Sequence, residues 1–231
     1  MKPFEQIQES LHSIESKLRS AKHSVRLIGV TKGHPPEIYD ICRKLKINHV
    51  AENKAQEYRD KIKDDNSREL SLHFIGQVQR KNLKYLSANL YSFDALSDLE
   101  VAAALNNVVQ QKTEVLLQIN VAGESQKSGL VCELPEVSRF INTMQSFDKL
   151  TIAGLMVMGP TPVPSLAEKE WELDTGRVFE RAHEFLLSLR KETRLELPRL
   201  SMGMSDDYEI AIACGATEIR LGSTIFGARS K

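Results

Sequence analysis

A lysine at the end of an apolar run is the first residue in this chain whose setting suggests chemistry. Arg26 to Thr31 reads as a short strand, and Gly33 with Pro35-Pro36 stops it at once. Lys32 is then the last residue of a strand, where a partly desolvated lysine can act as an amine nucleophile. The residue type alone leaves open a lysine that merely ends a solvated strand. Two stretches near the far end of the chain, Ser201-Met202-Gly203-Met204-Ser205 and Gly222-Ser223-Thr224, combine glycines with hydroxyls. Glycine permits close backbone approach, and hydroxyls and free amides donate to a dianion. Such stretches also occur as ordinary turns and helix caps. An amine facing a phosphate cradle suits a phosphorylated aldehyde held as an imine. Arg220, two residues before Gly222, would point at the ligand's ring.

The elements that must position these residues follow from periodicity. Phe4, Ile7, Leu11, Ile14 and Leu18 recur every three or four residues, one face of an amphipathic helix. Strands are expected at Arg26–Thr31, Ile47–Ala51, Leu72–Ile75, Leu90–Phe93, Val115–Asn120, Ile152–Met156, Leu197–Met202 and Thr217–Leu221. Helical patterns separate them: one through Ile38, Ile41, Cys42 and Leu45, entered through Pro35-Pro36, and a polar stretch to about Asp64. Others run through Leu83 and Leu86, through Leu134 to Met144, and along a long helix carrying Trp171, which reads as core. Ser97 and Glu100 read as a capping box, and Asp206 to Glu209 as a second cap pair, with Gly215 closing its helix. Asp65-Asn66-Ser67 and Gly159 to Pro164 are loops.

Eight strands alternating with helices, after one extra N-terminal helix, fit a single (β/α)8 TIM barrel covering residues 1–231. A doubly wound open sheet is the competitor, but no glycine-rich fingerprint follows the first strand. In a barrel, chemistry lies at the C-terminal strand ends, and phosphate sites commonly use the loops after strands seven and eight. Reading those ends gives Lys32, Asn53, Gly76, Asp94, Asn120, Met158, Met202 to Ser205 and Arg220 to Ser223.

Bulk properties narrow the class. With 31 basic and 31 acidic residues the chain is not a general polyanion binder, so no nucleic-acid partner is expected. No apolar run approaches a membrane span, and Met1-Lys2-Pro3-Phe4-Glu5 lacks the form of a signal peptide. Cys42, Cys132 and Cys214 are far apart and read as reduced, buried packing residues, so a cytoplasmic protein is expected. His73 reads as a satisfied strand histidine, and Gln79-Arg80-Lys81-Asn82-Leu83-Lys84 as a solvated face or a weak anion patch.

Several longer segments are more specific. Gly29-Val30-Thr31-Lys32, Ala51-Glu52-Asn53-Lys54-Ala55-Gln56-Glu57, His73-Phe74-Ile75-Gly76, Gln118-Ile119-Asn120-Val121 and Lys127-Ser128-Gly129-Leu130 recur with Gly154-Leu155-Met156, Leu200 to Asp207 and Arg220 to Arg229. Through them the chain resembles the pyridoxal phosphate (PLP) homeostasis protein family over essentially its whole length. The resemblance implies a barrel similar to the N-terminal domain of alanine racemase, the fold type III of PLP proteins, binding pyridoxal 5'-phosphate. Lys32 would form the Schiff base, Ser205, Gly222 and Ser223 would bind the phosphate, and Arg220 would face the pyridine nitrogen. Asn53 would lie beside the ring, with Met202 near it. Two departures stand out: Ala51 precedes Glu52 where the family usually has glycine, and Lys81-Asn82 reverses an Asn-Lys pair. Threonine is frequent at the position of Ser223, which keeps the hydroxyl.

A guanidinium keeps its proton at physiological pH, so Arg220 can donate to a pyridine nitrogen but cannot protonate it. A neutral ring is a weaker electron sink, which disfavours carbanion chemistry. The chain ends ten residues after Leu221, without the second domain that gives racemases a general base and a dimer contact. The expectation is a monomeric PLP carrier or buffer with little or no turnover, apo-PLP enzymes being transient acceptors. The alternatives are a PLP-dependent amino-acid racemase or lyase and, from another class, an isomerase forming an imine with a sugar phosphate.

Overall fold

The computed structural model describes residues 1–63, 69–162 and 167–228. The expected loop at Asp65-Asn66-Ser67, the end of the proline-rich loop at Pro164, and Arg229 lie outside the described residues.

Among the described residues nine parallel strands follow the chain: β1 (Arg26–Val30), β2 (His49–Glu52), β3 (Ser71–Phe74), β4 (Leu90–Leu96), β5 (Thr113–Asn120), β6 (Leu130–Val131), β7 (Leu150–Val157), β8 (Arg199–Ser201) and β9 (Glu218–Leu221). Each of β1 to β5 pairs with the next, β5 pairs with β7, then β8 and β9 follow. The pairing of β9 with β1, Arg26 opposite Glu218 and Gly29 opposite Leu221, closes the ring. The result is the expected eight-stranded barrel. The two-residue β6 is an addition beside the end of β5, through Ile119 opposite Leu130, and is too short to leave a periodic signal.

Helices α1 (Phe4–Ser20), α2 (Ile38–Lys44), α3 (Ala55–Ile62), α4 (Leu99–Val108), α5 (Leu134–Met144), α6 (Glu168–Thr193), α7 (Tyr208–Ala213) and α8 (Ser223–Phe226) surround it, with a 3-10 turn at Arg80–Leu86. The expected face of α1 buries Ile7, Leu11 and Ile14, while Phe4 stays partly exposed. Lys2 ties the start of α1 to the end of the chain, its amide donating to Phe226 O and its Nζ to Thr224 O. Gly215, with φ of +91°, ends α7 as expected.

The main apolar cluster lies between strands and helices. Inside the barrel, a small separate cluster of Ile28, Val30, Ala51 and Ile75 sits on an ionic layer. There Arg199 donates to Glu218 (2.8 Å), to Glu114 and Ser92 (both 2.7 Å) and to Asp94 (3.3 Å). His73 bonds Asp94 at 2.7 Å and His49 at 3.0 Å, so it is the satisfied strand histidine expected.

Several local expectations need correction. β1 stops at Val30, and Lys32 occupies a turn closed by His34 N donating to Thr31 O, because Gly33 adopts φ of +74°. β4 continues through Asp94 to Leu96, since His73 and Arg199 neutralise a carboxylate that in sequence reads as a strand end. Helix α4 is capped by Asp98 rather than Ser97, Oδ1 accepting from the amides of Glu100 and Val101. Asp207 precedes α7, yet its carboxylate accepts from Met204 N (2.5 Å) and pins the loop instead of the helix. Trp171 is half-buried and donates to Pro160 O, and Cys132 and Cys214 are half-buried rather than core. No helix among the described residues is long and apolar enough to cross a membrane.

Candidate functional site

The loops that follow β1, β8 and β9 meet at one end of the barrel because two glycines let backbones touch. A Cβ on Gly222 would stand 3.0 Å from Val30 O, so the end of β9 rests directly on the end of β1. Gly203, with φ of +97°, brings the loop after β8 against α7, where a Cβ would fall 2.7 Å from the Ala211 methyl. A side chain at either position would push the loops apart.

These contacts leave a cavity of about 420 Å³. Lys32, Ser205, Arg220, Gly222 and Ser223 all line it, with Val30 and Ile75 forming its apolar floor. Two expected residues do not. Met202 is fully buried in the cluster outside the barrel, because its neighbour Ser201 takes the inward position. Asn53 packs its backbone against Gly76, where a Cβ would lie 2.1 Å from Asn53 O, and is not among the lining residues. His34, Gly227 and Ala228 also line the cavity, as do Met204, in the loop after the seventh expected strand, and Asp206, which in sequence reads as a helix cap. A larger groove of about 700 Å³ runs between α1, α6 and α7 past Lys17, His23 and His183, and no strand-end residue reaches it.

The hydroxyls of Ser205 and Ser223 stand 2.9 Å apart, two donors side by side at the mouth. Arg220 is buried beneath them, Nη1 donating to Ser201 Oγ (2.9 Å) and Nη2 to Val157 O (3.1 Å). Burial pulls its pKa down, while the carboxylates of Asp94, Asp207 and Glu218 act to raise it. Asp207 is pushed up by burial, offset in part by the Met204 amide and by Arg220. Paired hydroxyls, a buried guanidinium and an amine lining one cavity offer donors for a phosphate and a primary amine for an aldehyde. The residues present therefore fit PLP.

Motif residues on the far rim have another task. Gln118 Nε2 donates to Ser128 O (2.7 Å) and its Oε1 accepts from Gln77 Nε2 (2.8 Å). Lys127 Nζ donates to Glu124 Oε1 (2.7 Å) and Gly159 O (2.6 Å), and Glu124 accepts from Thr161. These bonds stitch the loops after β5 and β7 together. Among the described residues no group of three or more His, Cys, Asp or Glu is arranged to hold a metal ion.

No protein-family model matches the chain. A pyridoxal phosphate homeostasis protein of Aquifex aeolicus is 31% identical over 215 residues, 90% of this chain and 89% of that protein. PipY of Synechococcus elongatus, solved with PLP bound, superposes with a TM-score of 0.82 at 26% identity, covering 96% of this chain and 100% of PipY. Alanine racemase of Clostridium difficile shares the fold, with a TM-score of 0.75 at 16% identity over 98% of this chain and 58% of the racemase.

Proposed function

The chain belongs to the pyridoxal phosphate homeostasis protein family, and we propose that it holds PLP in the cavity between Lys32 and the Ser205–Ser223 pair. One observation carries the reading: an amine, paired hydroxyls and a buried guanidinium line a single 420 Å³ space at the C-terminal strand ends. When bound, the cofactor supplies an aldehyde that condenses with a primary amine, water leaving as the C=N bond forms, and a conjugated ring that then absorbs visible light. Lys32 provides the amine. Ser205, Ser223 and the backbone at Gly222 bind the phosphate, and Arg220 orients the ring by donating toward its nitrogen. Val30 and Ile75 keep water from the inner face of the cavity.

Arg220 favours holding over turnover. Its buried guanidinium donates a hydrogen bond without passing on a proton, leaving the ring a poor electron sink. The reading is a cytoplasmic monomer that buffers PLP and hands it to apo-enzymes. Titrating the purified protein with PLP is expected to produce a saturable visible band, with no racemisation or decarboxylation of common D- or L-amino acids. Robust turnover of any of them contradicts the carrier reading, and an absent band contradicts PLP binding through an amine. Sedimentation at the mass of one chain and activation of an apo-transaminase by the loaded protein are the outcomes expected for the finer claims.

A further inference from the structure

Helix α3 touches the backbone on both sides of Lys32. Lys61, although a lysine, is 3% exposed, and its Nζ donates to Thr31 O (2.7 Å), the carbonyl just before Lys32. Glu57, one helical turn earlier, accepts from Gly33 N (2.8 Å), the amide just after Lys32. Residues four apart share one helix face, so a single face of α3 grips both flanks of one residue. Glu52 completes the arrangement, its Oε1 accepting from Lys61 Nζ (2.5 Å) and from Thr31 Oγ1 (2.6 Å).

A buried ammonium is costly unless paired, and an apolar side chain at this position would fill the same space without that cost. Among the described residues, the hydrogen bonds of the Lys61 ammonium nevertheless go to Thr31 and to the carboxylate that holds Thr31. Gly33, at φ of +74°, turns the chain out of β1 immediately after Lys32. Lys32 has left the β1 ladder, so strand pairing does not aim its side chain.

We propose that Glu57 and Lys61 are positioning residues that aim the Lys32 amine at the cofactor's aldehyde. The proposal rests on the reading that Lys32 is the covalent partner. It implies that removing the grip slows and weakens formation of the C=N bond but leaves the phosphate and ring contacts intact. A displacement of about 1 Å at a reacting group is enough for large rate losses.

The test compares PLP with pyridoxine 5'-phosphate, which has the same ring and phosphate but an alcohol in place of the aldehyde. Glu57→Ala is expected to raise the PLP concentration giving half the visible band about tenfold, as loss of one amide-to-carboxylate hydrogen bond would. It is also expected to slow the appearance of the band and to leave pyridoxine phosphate binding unchanged. Glu57→Gln keeps an acceptor for Gly33 N and should behave as wild type. The paired variant Glu52→Gln/Lys61→Met, which leaves no unbalanced buried charge, should resemble Glu57→Ala. Wild-type affinity and rate in Glu57→Ala, or equal weakening of both ligands, overturns the proposal. If Lys32→Ala keeps the band, the Lys32 assignment fails and the clamp with it, an outcome distinct from either.

Discussion

Lys61 and Glu52 form a buried ion pair, and such pairs are costly to break from one side. Lys61→Met alone leaves a carboxylate facing no cation and is expected to lose about 3–5 kcal/mol of unfolding free energy in urea. Glu52→Gln/Lys61→Met should recover most of that loss, and a double variant as unstable as the single one would show that the pair is not what matters. The sequence conceals this pair. Lys32, Ser205, Arg220, Gly222 and Ser223, which line one cavity, lie at or just past strand ends that the sequence marks, and the glycines and hydroxyls of the last two loops separate them from the other strand ends. Glu57 and Lys61 sit in a stretch that reads as a polar surface helix, and nothing in residue type separates a buried lysine from a solvated one.

At the scale of elements, what brings the loops together is backbone contact at Gly203 and Gly222. Gly203→Ala places a methyl against Ala211 at a positive φ, and a loss of about 1–3 kcal/mol is expected together with weaker PLP loading. Thermal melts and the PLP titration check this, and an unchanged titration would detach the loop's geometry from binding. Long apolar strands such as β5 and the amphipathic α1 were plain in the sequence. The boundaries that misled were those where a polar residue has a hidden partner. Asp94 reads as an end and lies inside β4, Asp98 takes the cap from Ser97, and Asp207 pins its own loop. Met202 enters the expected site through the family resemblance, and the structure buries it in the outer apolar cluster while its neighbour Ser201 faces Arg220.

For the whole molecule, eight strands were countable but closure was not, because pairing of the first and last strands joins residues nearly two hundred positions apart. The ionic layer within the closed barrel makes the fold sensitive to acid. Burial, with His73, Arg26 and Arg199, lowers His49 from 6.5 to about 3, so the folded protein keeps it neutral while the unfolded chain protonates. Asp94 is held at about 2, burial being outweighed by His73, Arg199 and Ser92. Both folded values lie below the unfolded ones, so their stabilisation is complete above about pH 6.5 and is lost as pH falls. The melting temperature is expected to decline between pH 6.5 and 4 through His49, then more steeply toward 2 through Asp94. His49→Gln should flatten the upper part only, whereas a melting temperature constant from pH 7 to 4 would refute the assignment.

The central claim is that one particular amine meets the cofactor. Borohydride reduction of the PLP-loaded protein makes that bond permanent, and peptide mass mapping then locates it. The expected result is a single pyridoxyl phosphate adduct on the peptide containing Lys32, absent in Lys32→Ala. An adduct located on another lysine of the wild-type chain, or none at all, would contradict the account.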